Sequence, residues 1–176
     1  MEREHAGAEL WLVAGARLLE QGGVAAVKLP ALAATLGLTT GSFYHHFRNM
    51  PEFLDRLAAR YAGPSAGIAL GVPADPRERI RAAVRLQSGD DRRSVGFALR
   101  DWASTSEAAK QAVHESDTTV LERLADDFEA VGFDRDQARA RALVVFSVGV
   151  AKVHAPWGGD VPDLDAALEV LARRPS

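Results

Sequence analysis

The stretch from Lys28 to Met50, K-L-P-A-L-A-A-T-L-G-L-T-T-G-S-F-Y-H-H-F-R-N-M, most constrains what the chain can become. Leu29, Leu32, Ala33 and Leu36 recur at i, i+3, i+4 and i+7, the apolar stripe of one short helix. Pro30 suits its first turn, where a missing N–H costs little. Gly37 follows the last apolar residue, as a helix-ending glycine does. Leu38 reads as an apolar plug in the turn. Thr39 or Thr40 caps a second helix, expected to run to about Phe47. Two short helices around such a turn predict a helix-turn-helix.

The second helix has a divided chemistry. Phe43 and Phe47 lie four apart and face inward. Thr39, Thr40, Ser42, Tyr44, His45 and His46 remain as hydrogen-bonding groups for phosphates and base edges. From Gln21 to Pro51 there is no Asp or Glu, although 26% of the chain is charged. A surface that meets phosphates excludes carboxylates.

The run L-A-x-x-L-G-L-T-x-G-S-F-Y-H-H-F, preceded by W-L-V-A-G-A-R-L-L-E-Q-G-G, resembles the DNA-binding domain of TetR-family transcriptional regulators over about Leu10 to Leu57. The Gly37–Phe47 core is its most specific part. Beyond it, helical content, length and an L-R-D-W-A run at Leu99–Ala103 carry the likeness. The resemblance implies an all-α fold: an N-terminal three-helix helix-turn-helix DNA-binding domain, residues 1–50, and a C-terminal helical ligand-binding and dimerisation domain, residues 51–176, about nine helices in all. It places Tyr44 and His46 at phosphate-contacting positions, and Thr40, Ser42 and His45 where bases or phosphates are read. Lys28 stands where the family usually carries Ser or Thr. A cation at a helix N-terminus is unfavourable unless a phosphate offsets it, so Lys28 reads as a phosphate clamp or a solvated lysine. Met50 replaces a frequent lysine, with Arg48 as the substitute. Lys28, Thr39, Thr40, Gly41, Ser42, Tyr44, His45, His46 and Arg48 are thus the expected DNA-binding set.

Charge argues only weakly about partners. The net charge is −3, and within residues 1–60 six basic residues balance six acidic ones. Strong non-specific DNA binding is therefore not expected. Helix N-termini and a few cations still suffice for a dimer. With no cysteine there is no disulfide or thiolate metal site. No apolar run suits a bilayer and no signal peptide is evident, which makes the cytoplasm the default location.

The remaining pattern is helical. Ala8–Glu20 forms a first helix with Trp11, Leu12, Ala14, Leu18 and Leu19 inward, stopped by Gly22-Gly23. Pro51 opens a fourth helix capped by Asn49, with Phe53, Leu54, Leu57, Ala58 and Tyr61 as its stripe. Gly63 to Pro76 is the main boundary. Asp75 starts a fifth helix. Gln87–Arg93 reads as a polar loop. Val95, Ala98, Leu99 and Trp102 mark a sixth helix, broken at Ser104-Thr105-Ser106. A seventh runs to about Val131, ended by Gly132. Asp134 caps an eighth, apolar nearly all round from Ala142 to Ala151 except at Ser147, so a second subunit is expected on one side. Pro162 opens a last helix.

Two further residue sets follow. An effector pocket is assigned to Phe97, Arg100, Trp102, His114, Asp117, Leu121, Phe146 and Ser147, an aromatic and polar set among apolar helices; for any single one of these residues a satisfied buried polar network or an interface is the simpler reading. A dimer interface is assigned to Val145, Gly149, Val153, Leu164 and Leu168. No enzymatic constellation appears. His45 and His46 are adjacent, about 100° apart on a helix, and cannot share a metal. No H-E-x-x-H, G-x-S-x-G or Gly-rich phosphate loop is present. No cofactor or metal is expected. The sequence therefore predicts a dimeric, effector-released repressor of a palindromic double-stranded DNA operator. The alternative is a helical small-molecule-binding or interaction protein that has lost DNA binding.

Overall fold

The structure, a computed structural model, describes residues 2–62, 74–86, 90–154, 170, 171 and 173. The described residues form eight helices and no strand: α1 (Glu2–Ala26), α2 (Leu29–Leu36), α3 (Thr40–Phe43), α4 (Met50–Ala59), α5 (Pro76–Leu86), α6 (Asp90–Ala103), α7 (Glu107–Val131) and α8 (Arg135–His154). The all-α expectation holds. The expected helix after Pro162 lies almost wholly outside the described residues, as does most of the Gly63–Pro76 boundary.

Local sequence explains the helix ends. The regular path of α1 breaks at Gly22-Gly23, and Gly23 takes φ 65°, which a side chain would disfavour. Gly37 ends α2 at φ 67°. Its N–H donates to the Ala34 carbonyl at 3.3 Å, and the Leu38 N–H to the Ala33 carbonyl at 3.0 Å. This paired closure is the Schellman motif. At α4, Asn49 accepts from the Glu52 N–H at 2.9 Å. Asn49→Ala should lower stability by about 1 kcal/mol, read as a lower urea midpoint at unchanged m-value. Asp134 caps α8 in the same way, accepting from the Gln137 N–H at 2.9 Å.

Packing divides the chain into two units: residues 1–63 with 94–115, and residues 64–93 with 116–176. In the first, α1 packs on α2 and α4, and α2 on α3. Trp11, Leu19, Leu32, Phe43, Phe47, Phe53 and Leu57 are its fully buried large side chains. Ala98, Leu99 and Trp102 of α6 and Ala109 and Ala112 of α7 join the same core. Gly15 permits a close approach of α1 to α4: a Cβ there would lie 2.7 Å from Phe53 Cζ and 3.2 Å from Leu57 Cδ2. Both neighbours are fully buried and have nowhere to retreat. Gly15→Ala should therefore destabilise by about 1–3 kcal/mol through overpacking. That outweighs alanine's helix-propensity advantage of about 1 kcal/mol, and a lower melting temperature would register it.

The second unit has its own core of Ile80, Leu124, Ala125, Phe128, Val131, Phe133, Ala138, Ala142 and Val145. Arg79 donates to Asp127 at 2.7 Å. Burial pushes the Asp127 carboxyl up, with the Arg79 bond opposing. Arg141 lies 3.9 Å from the centre of the Phe133 ring, a cation–π contact that holds α8 to the turn after α7.

Several expectations need correction. The second motif helix ends at Phe43, well before Phe47, and continues as hydrogen-bonded turns. Residues 90–93 are helical rather than loop; the acidic pair Asp90-Asp91 suits a helix N-terminus. Leu38 is no plug, being 41% exposed. Val145, expected at a dimer interface, is only 2% exposed and packs within its own chain. Among the described side chains of α8, the large apolar ones that are exposed are Leu143 (54%) and Val144 (46%).

Candidate nucleic-acid interface

The reading segment begins where the α2 cap releases the chain. Thr39 is extended, and its hydroxyl accepts from the Ser42 N–H at 3.4 Å. That bond starts α3. After one turn, the His46 and Phe47 N–H groups both donate to the Phe43 carbonyl, at 2.9 and 3.0 Å. Phe43 is the anchor: its ring lies 5.4 Å from Trp11, 5.0 Å from Phe47 and 5.5 Å from Phe53. With Phe43 and Phe47 buried, Tyr44 and His45 are turned outward, and Tyr44 is 58% exposed. Thr39, Thr40 and Gly41 are exposed beside them. Ser42 and His46 are half-buried.

The flanking cations differ in availability. Lys28 is exposed at the N-terminus of α2 and makes no capping bond. Arg48 is held: its N–H and Nε both donate to Glu52 Oε2, each at 2.9 Å. The Arg48 hydrogen bond holds the Glu52 carboxyl below its ordinary value. A carboxylate with a depressed folded-state value contributes stability at neutral pH and loses it as pH falls through its titration. The start of α4 should loosen over that acidic window, visible as lower protection factors of the Arg48 and Glu52 amides against hydrogen exchange. Arg56 of α4 donates to the His46 carbonyl at 3.4 Å and lies 4.7 Å from the Phe47 ring centre. Arg60 is paired with Glu9.

The expected DNA-binding residues thus fall on one packing unit. Thr39, Thr40, Gly41, Tyr44, His45 and Lys28 are exposed there, while His46 and Arg48 are already engaged within the chain. Sequence reasoning missed the roles of Glu52 and Arg56. The i, i+4 spacing of Arg48 and Glu52 was the signal for the first.

The expected effector residues are divided. Phe97, Arg100, Trp102 and His114 belong to the first unit; Asp117, Leu121, Phe146 and Ser147 to the second. Trp102 is buried in the first unit's core, whereas Phe97, His114 and Ser147 are exposed. Arg100, Asp117, Leu121 and Phe146 are half-buried. Of the expected interface residues, Gly149 is buried and the Val153 backbone is helical; Leu164, Leu168 and the Val153 side chain lie outside the described residues. Among the described residues, no group of three or more His, Asp or Glu side chains is placed to hold a metal. No described helix is long and apolar enough to cross a membrane.

Residues 12–57 match the family model described as bacterial regulatory proteins, tetR family. A transcriptional regulator from Rhodococcus sp. Rha1 shares the fold, with a TM-score of 0.69 at 16% identity, over 94% of this chain and 91% of its own. The structure of BioQ with its natural double-stranded DNA operator gives a TM-score of 0.54 at 23% identity, over 93% of this chain and 94% of its own. At such identities the likeness is one of fold. No curated protein matches the chain in sequence.

Proposed function

We propose that this chain, whose residues 12–57 match the family model described as bacterial regulatory proteins, tetR family, is a DNA-binding regulator that acts as a homodimeric repressor released by a small-molecule effector. The observation that carries the reading is the exposed, acid-free face of Thr39, Thr40, Gly41, Tyr44 and His45, held rigidly from below by Phe43. Each subunit lays this face in a major groove, with Lys28 on a flanking phosphate. Ser42, His46 and Arg48 flank the face, and Arg48 reaches a phosphate only by sharing its guanidinium with Glu52. The fold of the BioQ–operator complex supports this use of the motif.

Dimerisation is assigned to α8. Arg139, Ala140, Leu143, Val144, Ser147 and Ala151 line its exposed side. Apart from Arg139 these are small or apolar, which suits close helix packing against a second copy, with Gly149, Val153, Leu164 and Leu168 as further candidates. Functionally, residues 1–50 read DNA and residues 51–176 bind the effector and dimerise. The proposed effector residues are Phe97, Arg100 and His114 in the first unit, with Trp102 in its core, and, taken separately, Asp117, Leu121, Phe146 and Ser147 in the second. The effector favours a subunit arrangement that no longer fits the operator spacing, and repression ends by population shift. The site of action is the cytoplasm.

Selection of random duplexes by the purified protein at moderate salt tests the reading. A palindrome with half-sites about one helical turn apart or more is the expected result. Enriched sequences without two-fold symmetry would overturn the dimeric reading. No enrichment even at low salt would overturn operator recognition itself.

A further inference from the structure

His46 is held at two points, its ring and its backbone carbonyl. A Cβ added to Gly7 of α1 would lie 2.5 Å from His46 Cε1 and 2.6 Å from Nε2. The imidazole therefore lies against α1 at Gly7, in space that a Cβ on residue 7 would contest. The backbone is held as well: Arg56 of α4 donates to the His46 carbonyl and lies over the Phe47 ring. The segment so held is no regular helix. Tyr44 to His46 is a run of turns closed on the Phe43 carbonyl. Such turns carry fewer mutually reinforcing bonds than a helix, and side-chain support decides where they point.

We propose that His46 is a positioning residue for the reading segment: its ring docks on α1 at Gly7 and so fixes how Tyr44 and His45 are presented. This rests on the DNA-reading role proposed above. It differs from a direct phosphate contact, the role the sequence resemblance implied for His46. The ring is half-buried against protein, and its neighbour Tyr44 carries the exposed face. The contact also gives the first turns of α1 a role in recognition without requiring them to touch DNA.

The test is a double-mutant cycle of Gly7→Ala and His46→Ala in the full chain, read in two ways. Alanine is a better helix former than glycine, so Gly7→Ala keeps α1 helical; circular dichroism verifies folding of every variant. Without DNA, Gly7→Ala should shift the Tyr44 and His45 backbone amide resonances, and in the His46→Ala background it should not. On the duplex selected by the native protein, each single variant should bind about tenfold more weakly, and the double variant no more weakly than His46→Ala alone. The slope of log affinity against log salt should stay the same in His46→Ala. Unmoved Tyr44 and His45 amides in Gly7→Ala would overturn the proposal. So would strictly additive losses, or a salt slope lowered by about 0.9 per subunit in His46→Ala, the mark of a lost cationic phosphate contact. If the native protein selects no duplex, the DNA-reading role fails, and the amide comparison still decides the docking of His46 on α1.

Discussion

Tyr44→Ala is expected to abolish operator binding while leaving the fold and the dimer intact. The separation of the two effects follows from where the side chain sits. Tyr44 is 58% exposed, and its ring touches the core only edge-on, 5.4 Å from Phe43. Removing an exposed side chain of this kind changes stability by about 0.5 kcal/mol or less. Binding loses much more. A hydrogen bond from the phenol to a charged phosphate contributes about 1.5–3 kcal/mol, and a two-fold complex loses it twice. With internal partners on Arg48, Arg56 and Arg60, few cations remain to compensate. Gel shifts on the selected duplex, beside sedimentation and melting of the variant, check both halves. A normal gel shift would remove Tyr44 from the interface and weaken the whole reading of the α3 face.

Much of the site was legible because its determinants are short-range. Gly37 after an apolar stripe announced the end of α2, and the structure shows the closure in full. The four-residue spacing of Phe43 and Phe47 separated the core side from the outward side. Asn49, Asp75 and Asp134 each make the capping or turn bond their position suggested. What the sequence concealed depends on long-range neighbours. Gly7 shows its purpose only once His46 lies against it. Val145 belongs to an apolar run in which every residue looks alike, and only the positions of α5 and α7 decide which side is covered. The shortness of α3 was concealed for a related reason. A stretch of hydroxyls, histidines and aromatics has no strong helix propensity, so tertiary packing of Phe43 and Phe47 sets its path.

Phe43→Ala should carry one of the largest stability costs among the described residues. Deleting a buried Phe side chain costs about 3–5 kcal/mol, from lost transfer energy and the cavity left behind. Phe43 belongs at the upper end. It is fully buried, and its ring meets Trp11 of α1, Phe47 of the reading segment and Phe53 of α4. The three partners come from three different segments, so no single side chain can fold into the vacancy. Aromatic pairs contribute about 0.5–1.5 kcal/mol beyond their burial, which the variant also forfeits. Against a total stability of about 5–15 kcal/mol for a domain, the first unit would be left marginal. Operator binding should then fail for a different reason than in Tyr44→Ala. In Phe43→Ala the loss should track unfolding, with a fall in helical circular dichroism near physiological temperature, whereas Tyr44→Ala should lose binding with its melting curve unchanged. A Phe43→Leu variant keeps most of the buried volume and should recover much of the stability. If Phe43→Ala melted like the native protein, the aromatic cluster would not be what holds the reading segment to α1 and α4.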